Sequence, residues 1–75
     1  MSKDNLELIV SIVSKHIKED IKEININSKA EDFYKWDSLS QINIILEIEK
    51  KTNKKIDASK ISELTSIKSI LKHLK

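Results

Sequence analysis

Apolar residues recur at helical spacing in two long blocks, separated by a stretch in which the period fails. In the first block Leu6, Ile9, Val10, Val13 and Ile17 fall on one face of an amphipathic helix. Asp4 and Glu7 have capping-box spacing at its start, which predicts a helix over about Asp4 to Ile17. Lys15, His16 and Lys18 lie near its end, where positive charge suits the helix dipole. From Glu19 to Lys35 Asn25, Asn27 and Ser28 interrupt Ile21, Ile24, Ile26 and Phe33, so a long loop is expected whose apolar residues dip into the core. Loops of this length in a compact domain are usually functional or disordered.

The second block predicts a helix from Ser38 to about Lys51. At roughly 100° per residue Leu39, Ile42, Ile45 and Leu46 form one stripe, and Ile44 and Ile48 widen the apolar arc to roughly 220°. A helix covering a single core needs only about half of that. Either neighbours pack on two sides of it, or part of the arc stays exposed as a binding surface. Asn53 suits a left-handed helix stop, Lys54 and Lys55 make a basic turn, and Ile56 anchors it. Ser59 to Leu64 reads as a short third helix with Ile61 and Leu64 inward. Thr65 or Ser66 then caps a last helix bearing Ile67, Ile70, Leu71 and Leu74. The expected fold is a small all-α bundle of three main helices and one short one, with a long loop between helices 1 and 2. No repeat or linker divides the 75 residues, so residues 1–75 are expected to form one domain.

Composition narrows the chemistry more than the fold. Cysteine is absent, which removes disulfides and thiolate metal sites, and His16 and His73 belong to no spaced ligand cluster, so no metal is expected. Glycine and proline are also absent, leaving Asn, Ser and Asp to make the turns. The net charge of +2 is too mild to argue for nucleic acid, and the lysines are interleaved with glutamates as on a solvated surface. Met1 to Asn5 lack the features of a secretory signal and no stretch approaches a membrane span, so a soluble, cytoplasmic monomer is expected.

Candidate chemistry gathers at Trp36-Asp37-Ser38-Leu39, where the second helix opens. Asp37 is a favoured N-cap, and Ser38 with Gln41 also has capping-box spacing, so the helix can begin at either residue. In both cases Ser38 sits in the first turn, where free N–H groups and the positive end of the dipole favour an attached phosphate. Neither histidine is near Ser38 in sequence, which argues against a self-contained nucleophilic enzyme.

This stretch resembles the attachment motif of the acyl carrier and peptidyl carrier protein family, in which Asp-Ser-Leu opens the second helix. The matching residues are Asp37, Ser38 and Leu39, and chain length, helix order and the long first loop agree over almost the whole chain. The resemblance implies a non-enzymatic carrier with phosphopantetheine attached to Ser38. A separate phosphopantetheinyl transferase would take the arm from coenzyme A, and an acyl or aminoacyl ligase and downstream enzymes would be the other partners. Asp37 would cap the helix and help position the transferase. Leu39, Ile42 and Leu46, with Glu47 and Glu49, would dock partners, while Ile44, Ile45 and Ile48 face the core. Gaps lined by Ile44, Ile48, Ile61 and Ile67 would shield an acyl chain, unless those residues are ordinary core.

Two departures qualify the resemblance. Many members have a small residue where this chain has Trp36; Trp36 and Tyr34 read as structural plugs over the loop, or as docking aromatics. Fatty-acid carriers are strongly acidic along the second helix, whereas Ser40 and Asn43 are uncharged here and Lys50 and Lys51 follow. Contact should then rely on Leu39, Ile42 and Leu46, and a dedicated carrier of a specialised pathway is favoured. The cargo, whether fatty acyl, polyketide or amino acid, is left open. The competing reading is a small helical nucleic-acid-binding or protein-interaction domain in which Ser38 is only a cap.

Overall fold

The structure, a computed structural model, describes residues 2–74, with side chains from residue 5 onward. Its three α-helices are α1 (Ser2–Ile17), α2 (Ser38–Thr52) and α3 (Ile67–His73), and a 3-10 helix, Ala58–Glu63, stands where the short third helix is expected. With two further 3-10 turns in the long loop this is the small all-helical bundle expected from the pattern. No helix among the described residues is long and apolar enough to cross a membrane.

α1 packs on both α2 and α3. Ile9, Val13 and Ile17 are fully buried, and Ile12, outside the expected stripe, joins them in the core. The helix begins at Ser2, so Asp4 falls in its first turn rather than at the cap, and the Asp4 side chain lies outside the described residues. With no glycine available, α1 and α2 end on left-handed residues, Lys18 at φ 55° and Asn53 at φ 57°. Asparagine takes that conformation readily; a lysine there is less common.

The long loop is tied down at several points. Asp20 caps the 3-10 turn Ile21–Glu23, and the Asn25 side chain accepts from the Asn27 N–H at 2.8 Å. The Ser28 carbonyl then accepts from the Ile67 N–H at 3.0 Å, and the Ala30 N–H donates to the Thr65 carbonyl at 2.7 Å. The loop is thereby paired with the start of α3, whose cap is Ser66. Of its apolar residues only Ile24 is buried. Phe33 packs partly against the core, while Ile21 and Ile26 are exposed, contrary to the expectation that all dip inward. Ile21 sits on the 3-10 turn Ile21–Glu23, whose residues are all at the surface, and Ile26 sits in the separate turn closed by the Ser28 N–H donating to the Asn25 carbonyl.

Candidate functional site

The start of α2 resolves which residue is the cap. Asp37 has extended backbone, φ −96° and ψ −172°, and its Oδ1 accepts from the Ser40 N–H at 2.9 Å. Hydrogen bonds from Ser40, its backbone N–H first, hold the Asp37 carboxyl below its ordinary value, so the cap is anionic at neutral pH. Ser38 is therefore the first helical residue, and it is exposed. The reading in which Ser38 is itself the cap is corrected by this geometry. Nearby Ser40 is different, since its hydroxyl donates to the Lys35 carbonyl at 2.9 Å.

The capping box expected between Ser38 and Gln41 gives way to a buried network. The Gln41 Oε1 accepts from the Trp36 indole N–H at 2.6 Å, and its Nε2 donates to the carbonyls of Ile61 and Leu64 at 2.7 and 2.6 Å. One amide thus joins the residue two before Ser38, the first turns of α2 and the 3-10 helix Ala58–Glu63. Trp36 is buried and structural; Tyr34, 98% exposed, is no plug. The signal for Gln41 is in its spacing: at i, i+4 and i+7 with Ile45 and Ile48, it is a polar residue on the core arc.

Beside Ser38 this arrangement leaves an open groove of about 630 Å³ between α2 and the 3-10 helix, lined by Trp36, Asp37, Ser38, Gln41, Ile42 and Ile61, among others. Its volume lies in the range of small-molecule sites. Ile61 reaches it, while Ile44, Ile48 and Ile67 are fully buried in the core. An exposed hydroxyl at a helix N-terminus, with a largely apolar groove alongside, fits a phosphate ester bearing a long flexible arm.

On α2 the wide apolar arc divides. Ile44, Ile45 and Ile48 are fully buried, whereas Leu39, Ile42 and Leu46 are 69%, 45% and 52% exposed. The two acidic residues expected to help docking are engaged within the chain. Glu47 accepts from Lys15 Nζ at 2.6 Å and contacts His16 Nε2 at 2.7 Å, and Glu49 accepts from the Ile56 N–H.

The bond from Lys15, followed by that from His16, holds the Glu47 carboxyl below its ordinary value of 4.5 against the opposing effect of burial. A carboxylate with a lowered folded pKa contributes stability that is present above its unfolded pKa and is lost as pH falls through the folded value. Acid unfolding should therefore begin just below that ordinary glutamate value, and Glu47→Gln should flatten that limb of a stability-against-pH curve. An unchanged limb in denaturant titrations would remove Glu47 as its source.

The model of the protein family described as "Phosphopantetheine attachment site" matches residues 7–74. No curated protein matches the chain.

Proposed function

The chain belongs to the phosphopantetheine attachment family, and on that premise we propose that Ser38 is the residue that carries the arm. The domain is a carrier on which phosphopantetheine is covalently attached. The observation that supports Ser38 is its exposure at the first position of α2 while Asp37 performs the capping. With the capping done by Asp37, the Ser38 hydroxyl is not spent on the helix start, and the first-turn N–H groups and helix dipole favour the phosphate. When bound, the arm supplies a flexible thiol that holds acyl or aminoacyl cargo as a thioester.

The residues of the chain bind, orient and present. Asp37 fixes the first turn and, as an anion beside the hydroxyl, is a recognition point for the transferase. Leu39, Ile42 and Leu46 form the docking stripe for that transferase, for a ligase and for later enzymes, while Glu47 and Glu49 act internally. Uncharged Ser40 and Asn43 and the lysines after Glu49 favour a dedicated carrier of a specialised pathway over a general fatty-acid carrier. Residues 1–75 act as one carrier domain.

Peptide mapping after incubation with coenzyme A and a broad-specificity phosphopantetheinyl transferase tests the assignment. The adduct is expected on the peptide containing Ser38, and an adduct on another serine would overturn it. The division of α2 has its own test. Ile45→Ala should cost about 2–5 kcal/mol in urea unfolding, because it opens a core cavity. Leu39→Ala, Ile42→Ala and Leu46→Ala should each stay within about 0.5 kcal/mol while slowing arm transfer. Equal destabilisation at all four positions would place the stripe in the core.

A further inference from the structure

The exposed stripe of α2 ends at Leu46, about 12 Å along the helix from Ser38. Two shallow clefts meet there. One is lined by Lys15, Glu47, Lys50 and Lys51 with Leu46, the other by Glu49, Lys50, Asn53, Lys54 and Lys55 with Leu46. Five lysines thus ring one exposed leucine. The two carboxylates that line the clefts with them are already engaged within the chain, Glu47 by Lys15 and His16 and Glu49 by the Ile56 N–H. Lys54 donates to the Leu74 carbonyl, which is neutral and leaves its charge uncompensated. This collar has a surplus of three positive charges in a chain whose net charge is only +2. The rest of the molecule is therefore slightly acidic, and the positive charge is concentrated at the end of the docking stripe.

We infer that this end of α2 docks an acidic partner protein, one that offers an apolar seat for Leu46 and Ile42 rimmed by Asp and Glu carboxylates. The inference rests on the carrier reading and names the chemistry of the partner. Charge around an apolar contact steers encounter and selects among partners. A polyanion of phosphates would pair with the lysines but leave Leu46, 52% exposed, and Ile42, 45% exposed, against a polar backbone. An apolar surface rimmed by carboxylates satisfies both halves of the patch.

Two amphipathic helical peptides with identical leucines, one with glutamates and one with lysines elsewhere, serve as probes against the arm-loaded protein. Single-stranded DNA and phosphatidylglycerol vesicles are the competing surfaces. The Leu/Glu peptide should bind with amide shifts centred on Leu46 and should weaken about tenfold or more between about 50 and about 300 mM salt, as screened exposed charges do. Lys50→Glu/Lys51→Glu/Lys55→Glu should lose it and gain the Leu/Lys peptide, and Leu46→Ala should weaken both. No binding, equal binding of the two peptides, or tighter lysine-dependent binding of DNA or vesicles would overturn the inference. Arm loading of the wild type, read by intact mass, is scored separately: loading with charge-blind peptide binding removes only the acidic partner, whereas no loading removes the carrier reading itself.

Discussion

Gln41→Leu is expected to destabilise the fold by about 3 kcal/mol, the sum of three stranded polar groups less the gain from added apolar volume. The Trp36 indole N–H would lose its acceptor, and the carbonyls of Ile61 and Leu64 would lose their donor, in a site that is buried or nearly so. Each stranded buried group costs about 1–3 kcal/mol, so three cost about 3–9 kcal/mol, and water entering from the adjoining groove holds the total to the lower end of that sum. A chain this short has a net stability of only several kcal/mol, so the urea midpoint should fall by about half. Gln41→Glu should be nearly as damaging, because a carboxylate can accept from Trp36 but donates to neither carbonyl. Trp36→Phe removes one donor, leaves the amide bonds to the 3-10 helix, and should cost about 1 kcal/mol for the hydrogen bond. Trp36 is the only tryptophan, so its fluorescence in the Gln41 variants reports loosening beside Ser38 directly. A Gln41→Leu protein as stable as the wild type would mean that the network contributes nothing net.

The helices were legible because their signals are local. α1 and α3 have clean apolar periods, and α2 spans Ser38–Thr52 against an expected end at about Lys51. The division of the α2 arc was legible in part: its width allowed either packing on two sides or an exposed face, the family resemblance pointed to Leu39, Ile42 and Leu46 as that face, and those three are the exposed ones. Less legible was whatever depends on partners distant in sequence. Gln41 looked like half of a capping box because spacing cannot reveal that the Ile61 and Leu64 carbonyls lie within reach. Glu47 and Glu49 looked free for the same reason: Lys15 is 32 positions away, and the Ile56 N–H comes into range only after the turn at Asn53. Ile21 and Ile26 were expected inside on hydrophobicity alone, but the first sits on an exposed 3-10 turn and the second in the turn between Asn25 and Ser28, both at the surface.

Ser38→Ala carries the other large effect, loss of arm attachment with the fold intact. Ser38 is exposed and follows the cap, so its removal should leave stability within about 0.5 kcal/mol. Were Ser38 the cap, the same change would cost about 1 kcal/mol. Ser40→Ala is the matching control, because the Ser40 hydroxyl is engaged with the Lys35 carbonyl and its loss should not affect attachment. The most direct measurement is intact mass after incubation with coenzyme A and a broad-specificity phosphopantetheinyl transferase, run on the wild type, Ser38→Ala and Ser40→Ala together. The wild type and Ser40→Ala should each gain the mass of one arm and Ser38→Ala none; an arm on Ser38→Ala, or no gain by the wild type, would contradict attachment at Ser38.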